Sequence, residues 1–493
     1  MKNLYFDTRE MDKKAREKYI LSEEIMMENA VLALEKNCLC ELENVNLISL
    51  YRPSILILCG PGNNGADGYA LARHLICEKY SVTVCAFGEC KTQIGKLQSE
   101  RAKKIGVNII NVYELDNFIE EKSIDLKLVV DCIFGTGFHG KLPEEISAAI
   151  NEINNLEDVK RIACDVPSGL DNFGNVNEIV FNADLTVTMG ALKYCLFTSN
   201  AKDCAGKIVL ANLGISQENF ENLNFADSYL LEKTDMKLPF RKKQNVNKGN
   251  FGHLAISLGE KKGAAVIAGT AALKFGCGLV SLVSKSDEEI NNPYELMCAK
   301  EFPANTNSVV VGMGLGTEEN ACEKYFDWLL KNKNVPCVLD ADSFYSSKID
   351  LFLQQKECVV LTPHPKEFAV LLKNCGFGNF TVKEILRNSL ELVKKFCEKY
   401  KGAVLLLKGS SVMIAENSCG KVKIYLNPYG SVSLAKAGSG DVLSGMIGAL
   451  LAQNYNCIQA TITASLAHSF SSQKVKCNFS MTPFDLISNF QAL

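Results

Sequence analysis

Short apolar runs alternate with helical stretches along most of the chain, and this alternation limits the folds that the chain can adopt. The runs are apolar almost throughout, as strands are when helices cover both faces of their sheet. Strands that alternate with helices form a parallel, doubly wound sheet. The predicted strands are ILILC (55–59), SVTVCAF (81–87), LKLVVDCIF (126–134), VKRIACDV (159–166), ADLTVTM (183–189), HLAISLG (253–259), GLVSLV (278–283), SVVVGMG (308–314), CVLDAD (337–342), CVVLTP (358–363) and AVLLLKG (403–409). The sequence therefore predicts an α/β protein.

A polar and weakly periodic segment at 216–247 separates two regions of regular pattern. The chain has 493 residues, more than one hydrophobic core usually holds. We therefore predict two domains joined by a linker at 219–240. Residues 1–218 are predicted to form a Rossmann-like three-layer domain, and residues 241–493 a second, different α/β domain.

Composition excludes several classes of protein. The net charge of −3 gives no reason to expect nucleic acid or a membrane as partner. The scattered histidines and the lack of a C-x-x-C pair make a zinc site improbable. An apolar stretch at 263–283 contains Lys274 and several glycines, which indicates a buried helix followed by a strand. The chain has 20 cysteines, many at the ends of apolar runs, and MKNLYFDTRE contains no secretory segment, so we expect a cytoplasmic protein. We also expect small-molecule partners and assembly as a homo-oligomer.

The loop GPGNNGADG (60–68) contains G-x-G-x-x-G between a strand and a helix, which is the context of a dinucleotide-binding fingerprint. Glu89 follows the next strand, about where a ribose-binding acid would lie. One interpretation is therefore an NAD-dependent dehydrogenase. Against it, two asparagines and Asp67 place side-chain oxygens and a negative charge in a loop that should approach a pyrophosphate.

Polar side chains follow two further strands, in DCIFGTGFHGK (131–141) and CDVPSGLD (164–171). The carboxyl ends of parallel strands share one crevice. We therefore expect the polar residues of the three loops to converge, and these are Asn64, Asp131, Asp165 and Ser168. Their oxygens suit a hard cation, although each residue alone could be a turn or cap residue.

Four motifs in order resemble the NAD(P)H-hydrate epimerase family over roughly residues 9–215: GPGNNGADG, VVDCIFGTGFHGKLP, CDVPSGLDNFGNV and ADLTVTMGALK. The resemblance implies interconversion of the R and S hydrates of NADH and NADPH. It assigns Asp165 as catalytic acid/base and substrate contact. It assigns potassium to Asn64, Asp131 and Ser168. The other substrate contacts that it implies are Asn63, Asn64, Gly65, Ala66, Asp67, Gly135, Thr136, Gly137, Phe138, His139, Gly140 and Lys141. Ala66 replaces a glycine that is usual in the family.

In KAGSGDVLSGMIGAL (436–450), a Gly-Ser-Gly turn places Asp441 at the start of a helix with an apolar stripe. The free N–H groups of such a helix bind anions, and its N-terminus should keep Asp441 ionised. Asp441 could then accept the proton of a hydroxyl that attacks a phosphoryl group. The alternative is that Asp441 only caps the helix.

Other polar residues of the second region also follow predicted strands. Lys408 could reach a nucleotide phosphate, or it could be a solvated loop lysine. Magnesium could be held through water by carboxylates that are otherwise surface groups, namely Asp340, Asp342 and Glu367. No GxxxxGK[ST] motif occurs, so the chain is not a P-loop enzyme.

The motifs KGNFGHLAISLG, NPYELM, GMGLG, DADSF, TPHPKEF, LKGSSV and AKAGSGDVLSGMI together resemble the ADP- or ATP-dependent NAD(P)H-hydrate dehydratase family, of ribokinase-like fold, from about residue 240 onward. The resemblance implies phosphorylation of the S hydrate with ADP or ATP and magnesium, then elimination of phosphate. It assigns Asp441 as base and substrate contact, and Ala265, Gly314 and His364 to the hydrate site. The nucleotide contacts that it implies are Lys408, Gly409, Ser410, Ser411, Val412 and Gly440.

With both halves matched, the whole chain resembles the bifunctional NAD(P)H-hydrate repair enzymes. Two other interpretations stay open. The chain could be a ribokinase-type hydroxyl kinase fused to an NAD-binding domain, which would release a stable phosphorylated product. Alternatively, the first half could be only a binding module, although Asp165 and Ser168 are both present.

Overall fold

The computed structural model describes residues 1–44, 53–122, 124–284, 292–316 and 321–493. These residues form two compact units. The first unit is Asn3–Ser228, and the second is Tyr229–Leu493 together with Met1–Lys2. In the described ranges, no helix has both the length and the apolarity that crossing a membrane requires.

The first unit is built on a seven-stranded parallel sheet of order β4-β3-β2-β5-β6-β7-β8. A short strand β1 (Lys2–Leu4) precedes these strands. The strands are β2 (Ser54–Cys59), β3 (Ser81–Ala86), β4 (Asn108–Asn111), β5 (Leu126–Cys132), β6 (Lys160–Cys164), β7 (Leu185–Met189) and β8 (Lys207–Ala211). The helices are α1 (Arg9–Tyr19), α2 (Glu23–Asn44), α3 (Asn63–Cys77), α4 (Gln93–Ile105), α5 (Leu115–Lys122), α6 (Glu144–Asn154) and α7 (Gln217–Glu221).

Helices cover both faces of this sheet, and β2 shows how. Its side chains alternate between the faces, and all are buried. Ile55 and Ile57 lie in one hydrophobic cluster with residues of α2, α3 and α4, whereas Leu56 lies in another with residues of α5 and α6. The predicted three-layer arrangement of the first unit is therefore confirmed.

The second unit has a mixed sheet, in which the strands from β9 to β12 follow the order β9-β18-β17-β16-β15-β14-β13-β10-β11-β12. Only the β16–β17 and β17–β18 pairs are antiparallel among these neighbours. The strands are β9 (Ser228–Leu230), β10 (His253–Ser257), β11 (Leu279–Val283), β12 (Met297–Ala299), β13 (Ser308–Val311), β14 (Cys337–Leu339), β15 (Val359–Leu361), β16 (Ala403–Leu407), β17 (Val412–Ser418) and β18 (Lys421–Asn427). The helices are α8 (Lys262–Lys274), α9 (Glu323–Lys331), α10 (Ile349–Gln355), α11 (Pro365–Asn374), α12 (Val382–Arg387), α13 (Ser389–Lys399), α14 (Ser439–Ala452), α15 (Cys457–Ser472) and α16 (Pro483–Ser488).

Helix α14 is the centre of the second unit. Every residue from Val442 to Ala452 is buried. It shares a hydrophobic cluster with residues of α8, α15 and the central strands. A helix that is apolar on all sides belongs in such a core. The core therefore fixes the position of the Gly-Ser-Gly turn that begins this helix.

Each predicted strand is present, and 263–283 forms α8 followed by β11, as expected. The α/β fold class is confirmed. The strands that the sequence did not predict are short, or lie at or near a sheet edge: β1, β4, β8, β9, β12, β17 and β18. The segment predicted as a linker, 219–240, contains the end of α7 and strand β9, and the two units divide at Ser228 and Tyr229. All 20 cysteines are free thiols.

Candidate active sites

The first site lies where β2, β5 and β6 end, and we define it as Asn64, Asp131, Asp165 and Ser168. Ser168 donates its hydroxyl to Asp131 Oδ1 at 2.7 Å and its backbone N–H to Oδ2, also at 2.7 Å. Asp131 is fully buried. Burial raises the pKa of Asp131 to about 6, although the hydrogen bonds from Ser168 favour the carboxylate. The two residues form one rigid, oxygen-rich unit.

Asp165 follows β6 in a left-handed conformation, with a φ of 69°. A non-glycine residue with this φ is strained unless its surroundings hold it. Lys193 donates to Oδ1 at 2.5 Å, and the N–H of Thr136 donates to Oδ2 at 3.2 Å. Burial alone would raise the pKa of Asp165, but the charge of Lys193 and the hydrogen bonds outweigh burial, so the pKa is lowered. Asp165 is therefore ionised at neutral pH.

Gly135 lies between Asp165 and Asn64. A Cβ on Gly135 would be 2.8 Å from Asp165 Oδ2 and 3.5 Å from Asn64 Oδ1. The first distance is too short for a real contact, so any larger residue here would displace the Asp165 carboxylate or the loop. The Nδ2 atom of Asn64 is buried and has no hydrogen-bond partner in the described part of the chain. An unpaired buried N–H donor costs free energy, which a ligand that accepts a hydrogen bond at this point would recover.

The predicted substrate segment Asn63–Asp67 forms the start of α3. Asn63 and Asp67 line a cavity of about 300 Å³, together with Arg9 and Asp12 of α1. Burial and the nearby charge of Asp165 raise the pKa of Asp67 well above its ordinary value. Ala66 lies inside α3 and does not have a positive φ. The replacement of glycine at this position is therefore harmless.

The second predicted substrate segment, Gly135–Lys141, lies outside regular elements between β5 and α6. Thr136 and Phe138 are buried, whereas Gly137 and the three residues from His139 to Lys141 are exposed. The Phe138 ring packs against Phe134, with 4.9 Å between ring centroids. This leaves a short exposed edge beside Asp165 that a substrate can contact.

The second site lies at the carboxyl ends of β14, β15 and β16, and we define it as Asp340, Glu367, Lys408 and Asp441. Asp340 is 2% exposed. It accepts from Lys408 Nζ at 2.9 Å, from Ser444 Oγ at 2.7 Å and from the N–H of Ala341 at 2.9 Å. Burial alone would lower the pKa of Lys408, but Asp340 and Glu367 outweigh burial and raise the pKa. Lys408 therefore carries a fixed positive charge.

The Gly-Ser-Gly turn (438–440) lies next to the Lys408 ammonium. The Lys408 ammonium would be 3.4 Å from a Cβ on Gly440. Gly438 has a φ of 89°, and a Cβ there would lie 2.5 Å from the ring of Pro483, so the turn requires glycine. The first N–H groups of α14 and one lysine thus lie together, which is a favourable arrangement for phosphate.

Asp441 lies in the first turn of α14, whose N-cap is Gly438 and has no hydrogen bond from a capping side chain, so the alternative that Asp441 is the helix cap was wrong. The sequence predicted that the helix N-terminus keeps it ionised, but its pKa is raised instead of lowered. Burial and the negative charge of Asp340 raise the pKa of Asp441 to about 7, against the opposing effect of Lys408. The helix effect is smaller than the cost of burying a charge beside another carboxylate.

His364 begins α11 with a capping box, in which its N–H donates to Glu367 Oε2 at 2.8 Å. Glu367 also lies 3.7 Å from the Lys408 ammonium. Asp342 instead accepts from the N–H of Gly316, at 2.9 Å. Of the three carboxylates predicted to hold magnesium, two therefore share the second site. Among the residues that the structure describes, no group of three His, Cys, Asp or Glu is arranged to hold a metal.

The remaining predicted residues lie on adjoining elements. Ala265 is buried in α8, and Ile267 of the same helix lies 3.3 Å from the Cβ position of Gly438. Gly314 has a φ of 64° and accepts a hydrogen bond from the N–H of Lys261, just before α8. The predicted nucleotide segment 408–412 joins β16 to β17 and begins at Lys408.

Three residues at the sites were not singled out from the sequence. Lys193 pairs with Asp165, Ser444 with Asp340, and His468 donates to the backbone carbonyl of Ser439 at 2.9 Å. Burial lowers the pKa of His468 to about 4, so it is a neutral donor. Lys193 stands inside the motif ADLTVTMGALK, which was the available signal. His468 lies in an apolar helix, where its sequence gives no such signal.

Comparisons with known proteins cover both units. A family model described as NAD(P)H-hydrate dehydratase matches residues 254–491, and one described as YjeF-related protein N-terminus matches residues 23–195. A ribokinase-like superfamily protein from Enterococcus faecalis has a TM-score of 0.44 at 20% identity, over 55% of this chain and 97% of that one.

Two curated relatives match most of the chain or all of it. The bifunctional NAD(P)H-hydrate repair enzyme Nnr of Helicobacter pylori is 41% identical over 497 residues, covering 100% of both chains. The enzyme of the same name from Coxiella burnetii is 31% identical over 446 residues, covering 85% of each chain. Because identity at this level extends through both units, the chain belongs to the family of bifunctional NAD(P)H-hydrate repair enzymes.

Proposed function

We propose that the chain repairs hydrated nicotinamide nucleotides in two steps. The first site interconverts the R and S hydrates of NADH and NADPH. The second site dehydrates the S hydrate with ADP or ATP, which restores the reduced nucleotide. The observation that carries this proposal is that each unit has its own set of acid–base and binding residues at the carboxyl ends of its parallel strands.

At the first site, Asp165 is the acid/base. Its Oδ2 atom lies beside Gly135 and accepts from Thr136, in the segment that we propose to contact the substrate. The carboxylate is ionised, so it accepts the proton of the hydrate hydroxyl while the bond between the hydroxylated carbon and the ring nitrogen breaks and its electron pair goes to the nitrogen. The nitrogen then adds to the other face of the resulting carbonyl, and Asp165 returns the proton to the oxygen of the new epimer. Asn63–Asp67 and Gly135–Lys141 supply the remaining substrate contacts.

Potassium fits the oxygen donors of the first site, and Asn64, Asp131 and Ser168 would hold it. The support is the chemistry of the donors: the amide Oδ1 of Asn64 beside Gly135, and the carboxylate of Asp131 with the hydroxyl of Ser168 at 2.7 Å. When bound, the ion would supply positive charge that favours the ionised form of a buried carboxylate.

At the second site, Lys408 and the first N–H groups of α14 bind the nucleotide phosphates. Gly440 allows the phosphates to approach the backbone closely. Asp441 accepts the proton of the hydrate hydroxyl as the hydroxyl oxygen attacks the terminal phosphoryl group, and AMP or ADP leaves with the electron pair of the broken P–O bond. Phosphate then leaves with the electron pair of the C–O bond. A proton lost from the neighbouring carbon completes the double bond.

Magnesium fits the second site as an ion held through water. Asp340 and Glu367 would hold it, because both carboxylates lie beside Lys408, which we propose to bind the phosphates. The ion would be held through water because both oxygens of Asp340 already accept hydrogen bonds. When bound with nucleotide, the ion would neutralise phosphate charge. Ala265, Gly314 and His364 are proposed to line the hydrate site. The nucleotide contacts proposed with Gly440 are Lys408, Gly409, Ser410, Ser411 and Val412.

The test adds the full chain to a mixture of NADH hydrates with ADP or ATP. We expect the absorbance of reduced nicotinamide to recover, with both epimers consumed. With the variant Lys408→Met, neither epimer should be converted back to NADH. Lys395 is an exposed lysine of α13, and Lys395→Met should behave as the parent chain. Accumulation of a stable phosphorylated hydrate would instead support a hydroxyl kinase. Assembly as a homo-oligomer and a cytoplasmic location stay predictions, which light scattering and cell fractionation test.

A further inference from the structure

Lys193 is a buried lysine that the proposed reaction has not used. It is 1% exposed. Its ammonium donates to Asp165 Oδ1 and to the backbone carbonyl of Met189, at 2.5 Å each. Lysine is almost never buried so deeply unless it is paired, because a charge removed from water needs compensation. The ion pair with Asp165 therefore compensates the burial of the Lys193 ammonium.

The two oxygens of Asp165 have different surroundings. Besides Lys193, Oδ1 faces the N–H of Met189 at 3.2 Å and the hydroxyl of Thr188 at 3.4 Å. On the other side, Oδ2 accepts from the N–H of Thr136 and lies against Gly135. The crowded oxygen thus faces the protein, and the other faces the proposed substrate segment.

We propose that Lys193 is a positioning residue of the epimerase site, which anchors Asp165 Oδ1 so that Oδ2 is the atom that takes and returns the substrate proton. This inference rests on the proposed role of Asp165. The left-handed backbone at Asp165 supports it, because such a conformation persists only where neighbouring contacts hold the residue. The ammonium also links the loop after β6 to the end of β7.

Several charged or titratable groups surround the Lys193–Asp165 pair. Lys193 interacts electrostatically with Asp12 of α1, Asp67 of α3 and the Cys195 thiol. Arg16, Asp7 and Glu23 act in turn on these carboxyl groups. The positive charge of Lys193 thus acts on three carboxyl groups, of Asp12, Asp67 and Asp165, and Arg16 also acts on Asp12. Without Lys193, ionisation of Asp165 would become harder.

The test replaces Lys193 in the full chain and measures epimer exchange and dehydration separately. For Lys193→Met we expect kcat of exchange to fall about 10²-fold with KM within a few-fold, since small misplacement of a reacting group has effects of this size. The acid limb of the pH profile should move to higher pH. Dehydration at the second site should be unchanged, and so should both activities of Lys207→Met, an exposed lysine in β8.

Lys193→Arg separates charge from geometry. It keeps the positive charge, so the acid limb should stay at the pH of the parent chain, while kcat falls because the guanidinium cannot reproduce the ammonium contacts. If Lys193→Met fails to fold, as thermal unfolding would show, Lys193→Arg decides alone. A parental kcat in Lys193→Arg would then overturn the proposal, and so would a shifted acid limb.

Asp165→Asn distinguishes this proposal from the function on which it rests. If Asp165→Asn still exchanges epimers, the proposed role of Asp165 is wrong and the inference about Lys193 falls with it. If Asp165→Asn is inactive while Lys193→Met keeps the parental kcat and pH profile, only the positioning role is wrong.

Discussion

The ammonium of Lys408 lies under the first turn of α14, 3.4 Å from the Cβ position of Gly440. Asp340, Glu367 and Asp441 all act electrostatically on this one cation. The second site is therefore rich in negative charge before nucleotide arrives. Phosphates add more, so Lys408 and the N–H groups of α14 have to carry most of the attraction.

Lys408→Met tests this arrangement. The variant loses the cation that faces the phosphates and leaves Asp340 buried without its ion pair. We expect ADP affinity, measured by calorimetry, to fall strongly. Breaking a buried pair in this way typically costs about 3–5 kcal/mol, so the denaturant midpoint of the second unit should fall as well. Lys408→Arg keeps the charge and should lose much less stability, and equal losses in both variants would contradict the ion-pair explanation.

The pH dependence of dehydration should report on Asp441, whose pKa is raised to about 7 by burial and by Asp340. A base must be ionised to accept a proton, so kcat/KM should rise as pH increases through about 7. The profile should be measured with Asp165→Asn, supplied only with the S hydrate, so that epimer exchange does not contribute. A flat profile from pH 6 to 8 would show that another group accepts the proton.

The same raised pKa predicts an effect on stability. Unfolded Asp441 titrates near its ordinary value of 3.8, whereas the folded residue keeps its proton up to about pH 7. Between these values only the folded state binds the proton, so the stability of the second unit falls as pH rises, and the penalty is complete above pH 7. Asp441→Asn removes the penalty. The variant should therefore unfold at a higher temperature than the parent chain at pH 8, and the difference should disappear near pH 4.

The sequence predicted the features that depend on neighbouring residues, such as central strands and a helix start. It missed those that depend on residues distant in the chain, such as a raised pKa and a buried ion pair. The central strands were recognisable because their residues are apolar throughout. Strands β17 (VMIAENS) and β18 (KVKIYLN) mix polar with apolar residues and were not recognised. The helix N-terminus at Asp441 was visible in the Gly-Ser-Gly turn. The raised pKa of Asp441 was not visible, because Asp340 follows β14, far from α14 in the sequence. The burial of Lys193 likewise depends on the loop after β6.

Gly135→Ala should remove epimer exchange and leave dehydration intact. The new Cβ would lie 2.8 Å from Asp165 Oδ2, so the carboxylate or the loop has to move. Displacement of a catalytic group by about 1 Å typically lowers the rate about 10²-fold. Gly263→Ala, in α8 of the second unit, is a control for the glycine-to-alanine change, because the space around its Cβ position is open beyond its own helix and chain neighbours. Parental exchange rates in Gly135→Ala would show that Asp165 does not act from this position.

Asp165→Asn and Asp441→Asn should divide the two activities of the chain. With ADP or ATP, Asp165→Asn should repair the S hydrate promptly and leave the R hydrate to spontaneous exchange. Asp441→Asn should exchange the epimers without repairing either. A mixture of the two variants should then consume both epimers, as followed by chromatography. Prompt repair of the R hydrate by Asp165→Asn alone would contradict this division of labour.

Asp441→Asn also separates the catalytic role of Asp441 from a purely structural role in the first turn of α14, where Gly438 is the N-cap. Asparagine has nearly the same shape as aspartate, so with a purely structural role the activity would stay close to that of the parent chain. A base cannot be replaced by an amide, and positioned acid–base groups typically contribute about 10²–10⁴-fold. We therefore expect dehydration to fall by at least about 10²-fold, while calorimetry still detects ADP bound through Lys408 and the first turn of α14.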